Sequence, residues 1–249
     1  MAADFVGKDI LIIQCLDSTN DYCKELTLKQ TLPEGTVVWA QKQLKGRGHG
    51  NSSWESAEGE NLTFSIIFHP VFLDPSDQFL LSMIISLGIT DFLNEITKNV
   101  YIKWPNDIYI DSKKIAGILI ENSITDSLIS CSIAGIGINI NQTSFNNNIP
   151  NPVSVKQIIG ANMDLKKCLS NICRKIDYWY SRLKQDERTL ITNCYTQLLY
   201  GLNQRKLYRT DNIEINGCIR GIDNFGRLAI ETDNGLIRYF GLKEVEFLH

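Results

Sequence analysis

The sequence predicts an α+β fold in two parts, a large mixed domain over residues 1–200 and a small all-β domain over residues 201–249. Three observations carry this. Apolar runs of strand length recur through the first half, such as Leu62–Phe68 and Ile115–Glu121. Two longer stretches, Asp77–Ile96 and Asp164–Leu183, place their apolar residues at helical spacing. Past Gly201 the texture changes to short alternating strands at Ile213–Ile219, Leu228–Glu231 and Leu236–Phe240, joined by turns at Asp223–Gly226 and Asp233–Gly235. Close turn spacing without a helix is the pattern of a small barrel.

In chain order, Ile10–Leu16 reads as a short buried strand. Asp17-Ser-Thr-Asn-Asp21 follows, and Ser18 with Asp21 makes a capping-box spacing ahead of Tyr22, Cys23 and Leu26. Thr36–Gln41 is a second strand, running into Gln43-Leu-Lys-Gly-Arg-Gly-His-Gly-Asn-Ser-Ser-Trp54. After the strand at Leu62–Phe68 comes the Asp77–Ile96 helix, expected to pack on the sheet. Val100–Trp104 is a strand that Pro105 ends, Asn106 and Asp107 supply turn chemistry, and Ile108 begins the next strand. Asp111–Lys114 is a hairpin turn before Ile115–Glu121, and Ser127–Ala134 and Gly137–Asn141 are two further strands. A polar loop spans Asn141–Pro152, Asp164 caps the second long helix, and a last helix spans about Glu187–Tyr200.

The 25 basic and 28 acidic residues leave a net charge of −3, so no global basic field points to nucleic acid or to an anionic membrane. Seven cysteines with no Cys-x-x-Cys pair, and three histidines, assemble no zinc pattern. The cysteines sit in apolar segments, as small hydrophobes in a reducing compartment would. No apolar run reaches the ~18 residues of a membrane span, and Met1–Phe5 lacks a charged signal-peptide region, so a cytoplasmic protein is expected.

Two stretches carry chemistry. In the first, Gly46, Gly48 and Gly50 alternate with Lys45, Arg47 and His49. Glycine lets backbone N–H groups approach a ligand, and arginine adds a planar fork of donors for carboxylate or phosphate oxygens. The spacing is neither that of a P-loop nor that of a dinucleotide fingerprint. Three glycines also leave the loop little to pack against, so Leu44–Ser53 is expected to be mobile without ligand. In the second, Lys103 lies in an apolar strand and demands either a carboxylate partner or an anionic ligand. Asp107 suits Mg²⁺, a ribose or an Asx turn. Lys114 starts a strand two residues before the small pair Ala116-Gly117, which leaves room for a ligand.

Taken together and in order, these stretches resemble the biotin–protein ligase family: Asp-Ser-Thr-Asn at 17–20, Gln43 with Gly-Arg-Gly at 46–48 and Trp54, and Lys-Trp-Pro-Asn-Asp at 103–107. Lys-Ile-Ala-Gly-Ile-Leu-Ile-Glu at 114–121, Gly-Ile-Gly-Ile-Asn at 135–139 and Gly-Ile-Asp-x-x-Gly at 221–226 complete the set. The resemblance implies a catalytic domain like that of class II aminoacyl-tRNA synthetases, with a mixed sheet, and a C-terminal SH3-like β-barrel. It implies ATP-dependent activation of biotin as biotinyl-5′-AMP, with Mg²⁺, and transfer to a lysine of a biotin carboxyl carrier protein or of the equivalent domain of a biotin-dependent carboxylase, such as acetyl-CoA carboxylase.

Biotin contacts carry over to Ser18, Thr19, Asn20, Gln43, Arg47, Gly48, His49 and Lys114. Lys114 and Arg47 take catalytic roles; Gly46, Trp54, Lys103, Asn106, Asp107 and Asn139 take the nucleotide, with Asp107 toward the metal. The chain departs from the family at His49, where arginine is usual, so that position carries over as a backbone contact. A lipoate or octanoate ligase or transferase of the same fold, and a biotin-sensing regulator without enzyme activity, are the alternatives. Only nine residues precede Ile10, too few for the winged helix of the family's repressors, so no DNA partner is expected. A monomer or weak homodimer is expected, with no membrane partner.

Overall fold

The computed structural model of the chain describes residues 5–50, 52–146 and 151–248. The elements are β1 (Ile10–Leu16), α1 (Thr19–Lys29), β2 (Val37–Gln43), β3 (Leu62–Phe68), α2 (Phe79–Asn94), β4 (Val100–Lys103), β5 (Asp107–Ile110), β6 (Lys113–Thr125) and β7 (Leu128–Ile138). Then come α3 (Val155–Ile159), α4 (Leu165–Lys184), α5 (Arg188–Gln197), β8 (Arg205–Thr210), β9 (Ile213–Ile222), β10 (Leu228–Thr232), β11 (Ile237–Phe240) and β12 (Glu246–Phe247). Seven strands make one sheet in the order β1-β2-β3-β7-β6-β5-β4. β1 and β2 run parallel and every other neighbouring pair runs antiparallel.

Strand alternation divides the sheet into an oily face and a polar one. On β3, Leu62, Phe64, Ile66 and Phe68 join the main core beneath α2 and α4. Thr63, Ser65 and Ile67 point to the other side, where Ile67 packs with Cys23 of α1, Val38 and Ile133. The helix α1 therefore sits on the opposite face from α2 and α4. Its N-terminus is fixed by Ser18, whose side chain accepts from the Asp21 N–H.

The helix α2 is buried almost throughout, from Leu80 to Leu93. With the 3₁₀ turn before it, Pro75–Asn94 is long and apolar enough to cross a membrane by composition, but 72% of that window is buried inside the protein, the setting of a core helix. It crosses α4 at Gly88, where a Cβ would lie 2.6 Å from Ile176 Cγ1 and 2.9 Å from the Ile176 backbone nitrogen.

Residues 205–247 form a five-stranded antiparallel sheet, β11-β10-β9-β8-β12, in the place expected for the barrel. It shares the main core with the larger sheet: Tyr208, Ile219, Leu228, Ile230 and Phe240 belong to the same buried cluster as Trp104 and Tyr195. The Trp104 indole N–H donates to the Gly226 carbonyl at 2.9 Å across the junction.

Several expectations need correction. The strand at Ile10–Leu16 forms at the expected residues but as an exposed edge, with Ile12 50% exposed. The two strands expected over Ser127–Ala134 and Gly137–Asn141 are one, β7, because Gly135–Gly137 pair with β3 and β6 at once. The strands β8 and β12 were masked in the sequence by charged residues, and α3 lies beyond the polar loop, whose residues 147–150 fall outside the described ones.

Replacing Gly88 with alanine is expected to cost ~1–3 kcal/mol through overpacking at the helix crossing. The same change in an exposed helix gains about 1 kcal/mol. A urea melt decides the sign, and an unchanged or raised midpoint would place α2 and α4 further apart than described.

Candidate active site

The polar face of the sheet opens into a cleft of about 160 Å³. Its floor is made of strand residues without side chains. Gly117 of β6 lies opposite Gly137 of β7, and Gly135 opposite Leu119. A Cβ on Gly137 would fall 2.2 Å from Trp54 Cε2, and one on Gly135 would fall 2.3 Å from Asn20 Oδ1. Trp54 and Asn20 can therefore lie flat on the sheet only because glycine stands at both positions.

One end of the cleft is the start of α1. There the Ser65 hydroxyl donates to Asn20 Oδ1 and accepts from the Thr19 hydroxyl, each at 2.7 Å, and Gln43 Oε1 accepts from the Thr19 N–H at 2.8 Å. Both N–H groups of Asn20 are spent, on the Leu119 carbonyl at 3.2 Å and on Glu121 Oε2 at 2.8 Å. What remains is informative. The Ser18 hydroxyl hydrogen and the Gln43 Nε2 amide have no acceptor among the described residues, and both residues line the cleft. Two donors converging at one end suit a neutral carbonyl acceptor.

The other end holds Lys114 and Asp107, ion-paired at 2.7 Å and each about one quarter exposed. The Lys114 ammonium stands 5.9 Å from the Trp54 ring centre. Its backbone is pinned by Asn151 and Val153 through N–H···O bonds of 2.8 and 2.9 Å. The Trp54 indole Nε1 is buried with no hydrogen-bond partner among the described residues. Asp107 is the one carboxylate in the cleft lining, and the described residues contain no cluster of three histidine, cysteine or acidic side chains. A protein-built metal cage is therefore not present among them. A single carboxylate is nonetheless the usual protein share when Mg²⁺ arrives with phosphates.

The loop from Gln43 to Trp54 covers the mouth as a narrow hairpin. Gly48 N–H bonds the Ser52 carbonyl at 2.8 Å and Trp54 N–H bonds Gly46 at 2.9 Å. Against the expectation of an untethered loop, both cations are paired. Lys45 meets Asp17 at 2.7 Å, and Arg47 meets Asp21 and, at 2.8 Å, Glu121. The Glu121 hydrogen bond is the leading reason the Arg47 guanidinium holds its proton more firmly than usual. Arg47 is 42% exposed, however, and pairs this wet contribute ~0–1 kcal/mol each, so the loop can open.

Of the residues singled out from sequence, Ser18, Thr19, Asn20, Gln43, Arg47, Gly48, His49, Trp54, Asn106, Asp107 and Lys114 line this one cleft. Three do not. Gly46 is a hairpin position, whose Cβ would strike the Trp54 carbonyl at 2.1 Å. Asn139 is buried, its amide donating to Val153. Lys103 finds no carboxylate within salt-bridge reach among the described residues; its ammonium faces the Tyr109 and Phe247 rings at 5.1 and 5.2 Å. Burial pulls its pKa below the ordinary lysine value, Asp107 opposes this, and Lys114 and Lys206 add to it. Gly117, expected to leave room for a ligand, lines the cleft, and so do Ser52, Ser53, Gly135 and Gly137, which had not been singled out for it. The Gly-Ile-Gly spacing at 135–137 signalled the last two, since residues two apart share a strand face.

A mixed sheet with one face emptied by glycines, bordered by a Gly-Arg-Gly hairpin and followed by a small β domain, defines an α+β fold with a small-molecule cleft. Residues 12–139 match the Biotin/lipoate A/B protein ligase family, and residues 207–247 match the Biotin protein ligase C terminal domain. The chain belongs to the biotin/lipoate A/B protein ligase family.

The bifunctional ligase/repressor BirA of Bacillus subtilis is 30% identical over 96% of this chain and 74% of that protein. The biotin–[acetyl-CoA-carboxylase] ligase of Paracoccus denitrificans is 27% identical over 88% of this chain and 92% of that one. Among solved structures, the biotin protein ligase from Aquifex aeolicus in complex with biotin and ATP superposes with a TM-score of 0.82 at 26% identity, covering 97% and 99% of the two chains.

Gly137→Ala is expected to lift the Trp54 ring from the floor at a cost of ~1–3 kcal/mol. The near-ultraviolet circular dichroism assigned to Trp54 by difference from Trp54→Phe should change. An unaltered Trp54 band in a normally stable variant would show that the ring does not rest on Gly137.

Proposed function

We propose that this chain is an ATP-dependent ligase that converts biotin to biotinyl-5′-AMP and transfers the biotinyl group to a lysine of a biotin carboxyl carrier protein. The observation that carries it is the polarity of the cleft: two unspent neutral donors at one end, on Ser18 and Gln43, and a lysine at the other, Lys114, with Trp54 between. Biotin has that polarity, with a ureido carbonyl on its ring and a carboxylate at the end of its chain. The ring carbonyl accepts from the two donors, and the carboxylate is brought to Lys114.

The carboxylate oxygen attacks the α-phosphorus of ATP, the bond to the bridging oxygen of the β-phosphate breaks, and diphosphate leaves. Both reactants are anions, so their approach is opposed. Lys114 uses one of its three donors on Asp107, leaving two for the reacting oxygens. Mg²⁺ entering with the triphosphate would meet Asp107 and supply further charge neutralisation. The Trp54 face offers the nucleotide a flat apolar wall, and its unpaired indole N–H offers a donor.

In the second half, the unprotonated amine of the carrier lysine attacks the acyl carbon, AMP departs with the bonding pair of its mixed anhydride, and the amine's proton is lost to solvent. The hairpin over the mouth keeps water from the anhydride meanwhile. The name of the Paracoccus relative supports acetyl-CoA carboxylase as the source of the carrier. Among the alternatives, a panel of biotin, lipoate and octanoate separates the acyl groups the family handles.

Intact mass of a carrier domain after incubation with biotin, ATP and Mg²⁺ tests the reading. An unmodified carrier with active biotin controls would sink it. Lys114→Ala is expected to lower biotinyl-AMP formation by ~10²–10³-fold, the size of one lost electrostatic contact in a reacting site. Retention within a few-fold would leave Lys114 a structural partner of Asp107.

A further inference from the structure

Glu121 belongs to the stretch that carries the family resemblance, yet neither the cleft lining nor the reaction above uses it. Its position is unusual. At the ninth residue of the thirteen-residue strand β6, it points to the same face as Gly117 and Leu119, at the rim of the cleft. One carboxylate oxygen, Oε2, accepts from Asn20 Nδ2 at 2.8 Å, and the other, Oε1, accepts from Arg47 Nη2 at 2.8 Å. Asn20 sits on the floor at the ring end of the cleft and Arg47 in the lid hairpin. At the rim Arg47 also pairs with Asp21 of the same helix as Asn20.

From Glu121 a polar chain runs unbroken to Gln43, one of the two donors. Arg47 bonds Glu121, Glu121 holds Asn20, Asn20 Oδ1 and Thr19 Oγ1 both face the Ser65 hydroxyl, and the Thr19 N–H holds Gln43. The Asn20 rotamer is the link that needs holding. Its carboxamide lies over Gly135, where no side chain limits its rotation. A flipped amide would present Nδ2 to Ser65 and Oδ1 to Glu121, and oxygen against carboxylate is repulsive. A carboxylate at residue 121 accepts only, so it selects one orientation of Asn20 and leaves Ser65 its proton to give.

We propose that Glu121 is a positioning residue for the proposed reaction: through Asn20 it orders the donors that take the biotin ring, and through Arg47 it holds the lid hairpin closed over them. This rests on the function proposed above. Glu121 touches neither substrate, and its effect falls on binding and on the lid rather than on the chemical step. The bond to Asn20 is charge-assisted and part-buried, the bond to Arg47 exposed and weaker, and a neutral glutamine of the same shape satisfies one partner while turning an amide toward the other.

The test is Glu121→Gln in the full chain, with three readouts beside the melting temperature. Calorimetric titration with biotin alone should show Kd raised about 10-fold, the size of one charge-assisted hydrogen bond. Steady-state biotinylation of a carrier domain should show the rise in KM for biotin with kcat far less affected. Limited trypsin should cut faster at Lys45 and Arg47 than in the parent chain. Adding Glu121→Gln to Asn20→Ala should weaken biotin binding much less than it does in the parent.

Unchanged biotin affinity with unchanged cleavage would overturn the proposal, as would a fall in kcat at constant KM or full additivity with Asn20→Ala. A merely structural role would lower the melting temperature and leave affinity and additivity as they were, and that too overturns it. If the parent chain itself fails to bind biotin, the proposed function is what falls. The cleavage comparison still judges whether Glu121 holds the lid.

Discussion

Gly117, Gly135 and Gly137 fall on one face of neighbouring strands because residues two apart share a side and because β6 and β7 pair Gly117 with Gly137. A pleated sheet normally presents a layer of side chains on each face. Removing three of them lowers the floor by the height of that layer, and Trp54 and Asn20 descend into the space. Everything polar in the cleft depends on this: Asn20 reaches Ser65 only by lying against Gly135, and Trp54 comes under the Lys114 ammonium only by lying on Gly137. The cost is borne by the opposite face. There Ala116, Ile118, Ala134, Ile136 and Ile138 of the same strands pack against the main core. Two such glycine-bearing strands stay extended because each is paired on both sides, β7 by β3 and β6, and β6 by β5 and β7.

Much of this could be read in advance where local chemistry and final structure agree. Ser18 and Asp21 gave a cap from spacing alone, and the cap is there, since an N-terminal turn needs an acceptor whatever surrounds it. Most of the expected site residues converge because the family motifs carry them in order. Burial was less legible. Ile10–Leu16 is as apolar as any core strand, yet it lies at the sheet's edge; sequence reports hydrophobicity, and only topology decides which strand has a neighbour on one side. Nor could spacing separate residues that face the cleft from those that build it. Asn139 and Gly46 look like ligand contacts in a motif, but one is consumed by Val153 and the other by the tightness of the hairpin. Glu121 is the reverse case, an ordinary acidic residue closing an apolar strand, whose two partners lie 74 and 101 residues away.

The electrostatics of the cleft differ from what a list of its cations suggests. Lys45, Arg47 and Lys114 read as an excess of positive charge awaiting anions, but each is matched: Lys45 by Asp17, Lys114 by Asp107, and Arg47 by both Asp21 and Glu121. A bare cluster of cations would repel itself and would hold any polyanion that entered. Paired cations offer exchange instead: an incoming carboxylate or phosphate must displace a carboxylate or share its donor, so net binding depends on geometry more than on charge. Lys114 is well suited to sharing, because an ammonium has three donors and Asp107 takes one.

The lid pairs work differently from the Lys114–Asp107 pair because they are wetter. Lys45 is 77% exposed and Arg47 42%, against 24% for Lys114. Solvent screening makes the outer pairs weak and reversible, and the inner pair, less hydrated, more persistent. The gradient matches the two demands on such a site. In the proposed reaction a substrate must pass the mouth in each cycle, so the bonds closing it have to be individually small, while the lysine proposed to meet the reacting oxygens has to stay where it is. A hairpin closed by one strong bond would be slow to open, and a reacting lysine held only by exposed pairs would wander. Several weak ties at the rim and one sheltered tie at the floor satisfy both conditions within a single sheet face.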